Sequence, residues 1–275
     1  MCLIITSIVG VAGTLSGVVL GTFLQRILLF RDMVKLKIED DIERQVFSQS
    51  IRIRLRVSYK KGNLVAQSVV GLLTLEKAEK VIKNYAICEF KENRDNWQAI
   101  VCKQGKFQDE IKDEPLPWQV WSDIGKGFND ITYRYSTSIS KKSSNKIELM
   151  DIYKVVPNNP SSNSISLVCQ KTQQKPNQNN SNPNYFYILR IFAEYGPDPY
   201  LARLILFLPI PPNDFDSILM KVKVSGTNVK GAEEKGVIVQ SNGNDYEICL
   251  KDREIIKKCK KFSDLTSSIN TLECH

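Results

Sequence analysis

Neighbouring carboxylates are the residues of this chain that come closest to a catalytic arrangement. Two adjacent carboxyl groups can serve as general acid and general base when their surroundings move their pKa values apart. Three such pairs occur in the chain: Asp40-Asp41, Asp109-Glu110 and Asp113-Glu114. Each pair lies in a hydrophilic, charged stretch, which is typical of a solvated surface. The sequence therefore predicts that these carboxylates are not catalytic.

Nucleophilic, metal and phosphate sites are disfavoured by the residues that they would need. The one histidine of the chain is His275, so a Ser–His or Cys–His pair would depend on the last residue. Gly226 and Gly231 have the spacing of a phosphate-binding loop, but Ala232 and Glu233 stand where that loop needs Lys and Ser or Thr. We therefore predict a protein that is not an enzyme and binds no cofactor and no metal ion.

A stripe of basic residues offers a different chemistry, the binding of anions. Arg52, Arg54 and Arg56 alternate with apolar residues, so a strand would place them on one face about 6.6 Å apart. Lys60 and Lys61 follow at the predicted turn. Guanidinium groups suit the phosphates of lipid headgroups or of nucleic acid, although the aromatic residues of a nucleic-acid platform are almost absent here. In the alternative interpretation, carboxylates on neighbouring strands neutralise the stripe, or the stripe is simply an exposed face of the sheet.

The N-terminal stretch indicates where such a stripe would lie. Residues 1–25 contain no charged residue, and a helix of roughly 20 apolar residues crosses a hydrocarbon core of about 30 Å. Residues 3–25 therefore predict a single transmembrane helix. The alternatives are a cleaved signal peptide, which would need a basic n-region and a small-residue cleavage site, and a buried core helix, which is usually shorter. Basic residues follow the span and none precedes it, which predicts a cytoplasmic location for the rest of the chain.

Glycines along the predicted span indicate a packing surface. Gly13, Gly17 and Gly21 recur every four residues and so lie on one helical face. Small residues at this spacing allow a second backbone to approach closely. The pattern predicts a homodimer or contact with another membrane span.

Beyond the span, the apolar residues change their period. Ile38, Ile42 and Val46 are spaced four residues apart, which predicts a juxtamembrane helix reaching about residue 47. From Ser50 the period becomes two, and many short strands separated by turn residues follow. We therefore predict a mainly β fold, with a transmembrane and juxtamembrane helix (1–47) followed by an immunoglobulin-like β-sandwich, organised as one or two domains, over 50–250.

Two further segments are distinguished by their composition. Residues 171–184 are polar apart from proline, which predicts a mobile loop. Residues 251–275 form a basic tail, predicted to be a short helix that then frays. The net charge of +8 and the pI of about 9.0 suit a domain near an anionic membrane surface or nucleic acid. The seven cysteines are widely spaced without a C-x-x-C motif, which favours free thiols in a reducing cytoplasm.

One hairpin carries a resemblance to known proteins. Leu55-Arg56-Val57, Lys61-Gly62 and Ala66 resemble the V-x-N-x-G-x-x-x-A hairpin of adhesion-type immunoglobulin-like sandwiches, with Lys60 where that motif has Asn. The chain also resembles a group of uncharacterised, mostly archaeal proteins with one N-terminal membrane span. Later landmarks of that group match Pro117-Trp118 and residues 149–155. The resemblance implies the sandwich and the anchor, but no activity.

The sequence predicts a single-pass membrane protein that works as a non-enzymatic interaction or scaffold module. Its bilayer-held β domain would bind another protein, of unknown identity, through a sheet edge or loops. The alternative is a basic domain that binds nucleic acid or anionic lipid headgroups at the membrane surface.

Overall fold

Strands predominate in the part of the chain that the computed structural model describes. The described residues are 18–28, 31–47, 50–77, 87–92, 96–103, 112–120, 132–157, 168–170, 186–192, 204–212, 217–253, 255–270 and 272–274. Their strands form two sheets in which nearly all pairs are antiparallel. The prediction of a mainly β fold is confirmed.

The larger sheet has eleven strands. They are β1 (Lys35–Val46), β2 (Ser50–Lys61), β4 (Ile87–Glu92), β5 (Asn96–Lys103), β7 (Trp118–Val120), β8 (Thr132–Arg134), β10 (Ser144–Pro157), β11 (Val168–Gln170), β12 (Phe186–Ile191), β13 (Leu204–Pro209) and β18 (Leu272–Cys274). Strand β10 is its centre, because it pairs with β2, β7 and β12 in antiparallel fashion and with β18 in parallel.

The smaller sheet has seven strands. They are β3 (Ala66–Lys77), β6 (Glu114–Leu116), β9 (Ser136–Ile139), β14 (Ser217–Thr227), β15 (Glu233–Asn242), β16 (Asp245–Asp252) and β17 (Ile255–Lys261). Their order is β17-β16-β15-β14-β3, and both β6 and β9 pair with the other side of β3. A short helix, α1 (Phe262–Thr266), follows β17.

Alternation of apolar and polar residues explains how the two sheets share one core. In β2, Ile51, Ile53 and Leu55 are fully buried and belong to an apolar cluster with residues of the seven-stranded sheet. The sheets approach closely at Gly71, where an added Cβ would lie 2.8 Å from the Cδ1 atom of Ile147. Glycine therefore leaves the space that Ile147 occupies.

The predicted juxtamembrane helix is wrong, because this segment is strand β1. Ile38 pairs with Val57 and Ile42 pairs with Leu55, so residues 39–41 of β1 lie opposite a single residue of β2. We call residues 39–41 the β1 bulge. A bulge inserts residues into one strand only, and here it returns both isoleucines to the core although they are four residues apart. In this strand, the bulge thus produces the spacing of apolar residues that is typical of a helix.

The β1 bulge also ties the two sheets together along one side. Asp40 pairs with the buried ammonium group of Lys235 on β15. Asp41 lies 3.7 Å from the Nζ atom of Lys260 on β17, and that Nζ donates a hydrogen bond to the carbonyl of Ile42. Acidic residues of the bulge thus meet basic residues of the seven-stranded sheet.

The predicted boundaries of the β domain move outward at both ends. Strand β1 extends the domain before Ser50, and the predicted basic tail is folded: β17 pairs with β16, α1 buries Phe262, and β18 pairs with β10. Residues 255–261 therefore form a strand instead of a frayed helix, and among the described strands this strand lies at the edge of its sheet. The predicted mobile loop, 171–184, lies outside the described residues.

One cysteine pair corrects the expectation of free thiols. Cys249 on β16 and Cys259 on β17 are register partners and form a disulfide, with their Cα atoms 4.1 Å apart. The two cysteines are ten residues apart in the chain, and this spacing matches no cysteine motif. The strand pairing of the β16–β17 hairpin brings them together.

Only the second part of the predicted span belongs to the described residues. Residues 18–28 form a helix, and its apolar side chains are exposed. Within the described ranges, no helix is both long and apolar enough to cross a membrane.

Candidate functional site

The chain enters the β domain between two turns. Val34 donates its N–H to the carbonyl of Asn228 and accepts a hydrogen bond from the N–H of Lys230, each at 2.7 Å. On the other side, the carbonyl of Asp32 accepts a hydrogen bond from the N–H of Asn63 at 3.0 Å. We call the chain from Asp32 to Val34 the entry segment. It is held by the turn after β2 and by the turn between β14 and β15.

Gly62 allows the entry segment to pass over the turn after β2. Its φ is +134°, a conformation that favours glycine. A Cβ at this position would lie 2.7 Å from the carbonyl oxygen of Met33 and 2.8 Å from the Cα of Val34. Both contacts are with backbone atoms, so a larger residue would displace the entry segment.

Exposed basic side chains surround this entry point. Lys35 and Lys61 are register partners in β1 and β2. Ser58 of β2 pairs with Ser144 of β10, which places the turn before β10 at the same end of the sheet. We call this group of exposed residues the basic end: Arg31, Lys35, Lys60, Lys61, Lys141, Lys142 and Lys230.

Acidic groups also lie near the basic end: Lys142 lines a cleft together with carboxylates of the β1 bulge, and Asp32 lies in the entry segment itself. The carboxylate of Asp32 accepts a hydrogen bond from the side-chain amide of Asn63 at 2.8 Å, and it lies 3.8 Å from Nε of Arg31. The sequence identified Lys60 and Lys61 but missed the lysines of the other two turns. They are distant in the chain, and only the strand pairing brings them to one end.

The arginines of the predicted anion-binding stripe are paired. Nε and a terminal nitrogen of Arg52 donate to the two carboxylate oxygens of Asp151, at 2.7 and 3.0 Å. Nε of Arg54 lies 3.0 Å from Glu148, and Arg56 pairs with Glu43. The structure thus favours the alternative interpretation, in which carboxylates neutralise the stripe.

Arg52 and Asp151 belong to a charged cluster on the face of the eleven-stranded sheet opposite Ile51 and Ile53. Asp151 is the register partner of Arg52 on β2 and also of Arg190 on β12. The Arg52 guanidinium lies 5.0 Å from the ring centroids of both Phe47 and Phe192, within the range of cation–π contacts. This burial and pairing indicate a structural role.

Glu148 is the fully buried carboxyl of the same cluster. Burial raises its pKa, and the nearby positive charges of Arg52 and Arg54 only partly oppose that effect. A carboxyl with a raised pKa can serve as a general acid, but this one has no exposed surface to meet a substrate. We assign it no catalytic role.

A cleft of about 490 Å³ lies beside the bulge, lined by charged and hydroxyl-bearing residues. Hydrogen bonds from Lys37 and Ser58 lower the pKa of Glu39 on this wall. Glu43, on the same wall, pairs with Lys146 at 2.7 Å and with Arg56. These carboxylates are ionised and paired, so the cleft offers no proton donor among them.

Among the residues that the structure describes, one group of side chains has the spacing of a metal site. The ligand atoms of Glu247, Cys249 and Cys259 lie within 4.8 Å of one another. In the disulfide, however, neither sulfur is the thiolate that binds a metal ion. The donor set does not fit a metal while the disulfide is intact.

The predicted packing glycines of the span are described only in part. Gly21 lies in the helix of residues 18–28, and no atom lies within 4 Å of the position that its Cβ would take. Gly13 and Gly17 lie outside the described residues. Association through this face therefore stays a prediction.

The comparisons with known proteins found nothing similar. No family model, no curated protein and no solved structure matches the chain.

Proposed function

We propose that the protein is a membrane-anchored, non-enzymatic interaction module with an immunoglobulin-like β-sandwich. Its N-terminal apolar stretch crosses the bilayer once, and the entry segment holds the β domain next to the membrane surface. The observation that carries this proposal is an apolar helix that is exposed along its length and leads into the β domain. Val18, Leu20, Phe23 and Leu24 are each more than half exposed in that helix, and water does not favour such a surface.

The experiment that tests the anchor is extraction of membranes at high pH. The full-length chain should stay in the membrane pellet, and a chain that starts at Arg31 should be recovered in the supernatant. The truncation has to start there, because a start at Ser50 would remove β1 and the entry segment. Release of the full-length chain by the alkaline wash would contradict the anchor.

An edge strand offers the β domain a way to bind a partner protein. Strand β17 is the last strand in the order of the seven-stranded sheet, and Ile255 is 65% exposed on it. An extended segment of another protein can add to such an edge through backbone hydrogen bonds. The lysines of β17, including Lys258 and Lys261, favour an acidic segment and also oppose edge-to-edge aggregation.

The partner site can be tested by crosslinking in membranes. A photoreactive residue in place of Ile255 should crosslink to one protein, and the same residue in place of Val65, which is exposed in the turn between β2 and β3, should not. Equal products from both positions would contradict binding at the edge.

The basic end favours a second function, the docking of the domain on anionic lipid headgroups. Its residues surround the point where the chain leaves for the bilayer, so they would lie at the headgroup level. Each basic residue near an anionic surface contributes about 1 kcal/mol of binding free energy. This attraction would orient the domain as well as hold it.

Vesicle binding of the chain that starts at Arg31 tests this second function. Replacing both Lys141 and Lys142 by Gln should weaken binding to vesicles containing phosphatidylglycerol by roughly 30-fold at low salt, since two charges are lost. Replacing Lys258 and Lys261 by Gln removes the same charge from β17 and should have a much smaller effect. Equal losses would indicate attraction by net charge alone. Tighter binding to an oligonucleotide than to the vesicles would favour the nucleic-acid alternative.

A further inference from the structure

The strand register places every cysteine after Cys2 opposite another cysteine. Cys249 opposes Cys259 in the disulfide of β16 and β17. Cys88 on β4 opposes Cys102 on β5, and Cys169 on β11 opposes Cys274 on β18. These pairs come from three different antiparallel strand pairs, so one local motif does not explain them.

Backbone distances in antiparallel pairs suit a disulfide. Directly opposed residues have Cα atoms about 4.5 or 5.5 Å apart, and disulfides join Cα atoms that are typically 4.4 to 6.8 Å apart. The Cys249–Cys259 bond, at 4.1 Å between Cα atoms, is a cross-strand bond of this kind. The other two pairs occupy the same relation in their strands.

Two of the pairs also share an irregularity of the backbone. After Cys249, the register moves by one residue, so that Leu250 opposes Lys257. After Cys88, Glu89 opposes Ile100 in the same way. In both hairpins one extra residue of the second strand directly precedes the second cysteine, a bulge next to the opposed pair.

We propose that the β domain carries three cross-strand disulfides, Cys88–Cys102, Cys169–Cys274 and Cys249–Cys259. Each forms when two cysteine thiols lose two protons and two electrons to a disulfide-bonded thiol oxidant, which is reduced to two thiols as the new S–S bond forms. Cys2 is then the remaining thiol. The second bond links β18 to β11 and so fastens the C-terminal strand, which is only three residues long.

The disulfides also bear on the side of the membrane that the domain occupies. Structural disulfides form and persist in oxidising compartments. If the chain is anchored as proposed above, the β domain lies on the oxidising side of that membrane, opposite to the expectation from the basic residues after the span. This second step rests on the proposed function, whereas the three bonds do not.

The bonds are tested by alkylation of the full-length protein, unfolded under acid-quenched, non-reducing conditions. One cysteine, Cys2, should be alkylated without reductant and all seven after reduction, and peptide mapping should find the three named linkages. Alkylation of Cys88, Cys102, Cys169 or Cys274 before reduction, or a different linkage, would overturn the proposal. As a control that does not depend on folding yield, Cys88→Ser should expose Cys102 to alkylation, and the double variant C88S/C102S should expose no additional thiol.

The side of the membrane is tested in intact cells with reagents that do not cross membranes. After treatment with an impermeant reductant, an impermeant maleimide should label the exposed residue Cys259 without lysis. Labelling that requires lysis would overturn the orientation, while the mapped linkages would still stand. Full release of the protein by alkaline washing would contradict the anchor and not the disulfides.

Discussion

The ammonium group of Lys235, on the seven-stranded sheet, donates a hydrogen bond to the carboxylate of Asp40 in the β1 bulge. The Lys235 side chain is 4% exposed, and its next carboxylate, Asp252, lies 3.9 Å away. Asp40 is 37% exposed. The pair therefore joins a buried cation to a carboxylate at the surface, across the boundary between the two sheets.

Replacing Asp40 by Asn should destabilise the β domain in a pH-dependent way. The hydrogen bond from Lys235 lowers the pKa of Asp40 below its ordinary value of 3.8. The ionised Asp40 carboxylate therefore contributes to the free energy of unfolding above pH 3.8. This contribution is lost as the pH falls through the lower pKa of the folded state. We expect D40N to lose about 1 kcal/mol at pH 7, a figure reduced for solvent screening, and this difference from the wild type should shrink as the pH falls below 3.8.

Urea unfolding at several pH values measures this difference. Asp41→Asn is the matched control, because Asp41 lies in the same bulge but is 56% exposed and 3.7 Å from its lysine. It should cost less than D40N at pH 7. Equal losses from both variants would show that Lys235 is not the reason for the effect.

Gly62→Ala should displace the entry segment. The new methyl group would meet the backbone of Met33 and Val34 in a conformation that L-residues rarely adopt, and we expect a loss of about 3 kcal/mol in unfolding free energy. Gly243→Ala is the control, since its φ is +64° and its Cβ position is open. That variant should lose only about 1 kcal/mol. Limited proteolysis should also cut G62A, and not G243A, close to the entry segment.

Two carboxyl groups of the buried cluster should respond differently to their amide replacements. Asp151→Asn breaks the bidentate pair with Arg52, which is largely buried, and should cost about 3 kcal/mol at neutral pH. Glu148→Gln removes a carboxyl whose pKa is raised by burial. A carboxyl group whose pKa is raised by folding stabilises the folded state at pH values below its pKa in the unfolded chain, which is 4.5 for Glu148. That stabilisation is lost as the pH rises through the pKa of the folded state.

Relative to the wild type, E148Q should therefore gain stability as the pH is raised from about 4 to 7. Chemical unfolding of both variants over that range provides the measurement. A decline of E148Q against the wild type with rising pH would mean that the arginines, and not burial, dominate the environment of Glu148.

Gly17→Ile should weaken association of the predicted span. A branched side chain at this position would block close approach along the face of Gly13, Gly17 and Gly21. A membrane association reporter carrying the span should change from dimer towards monomer. Val19→Ile adds bulk on a different face and should leave association unchanged. If G17I associates as strongly as the parent, the glycines do not form the packing surface.

Local pattern was enough to predict β2 and not enough to predict β1. Ile51, Ile53 and Leu55 alternate with polar residues, and they form a strand with one face in the core. Burial of apolar side chains also shapes β1, since Ile38 and Ile42 both lie in the core. The β1 bulge changes their spacing to that of a helix, and a bulge is specified by the partner strand, which local sequence does not reveal.

The charged residues give the same lesson at longer range. Placing Arg52 and Arg54 on one face of a strand follows from a period of two, but their carboxylates come from β10, with Asp151 ninety-nine residues beyond Arg52. The opposed cysteines depend in the same way on register between strands. Sequence alone therefore indicated which residues share a face, and strand pairing decided what they meet there.

The entry segment gives the proposed tether a mechanical property. Tension applied through the N-terminal helix would reach the backbone hydrogen bonds of Asp32 and Val34 before it reached the first paired residues of β1. Asn63, which holds Asp32, follows a strand of the eleven-stranded sheet, and Asn228, which holds Val34, belongs to a turn of the seven-stranded sheet. A pull on the proposed tether would therefore be divided between both sheets at once, and β1 would not be peeled away from its end like a single strand of a hairpin.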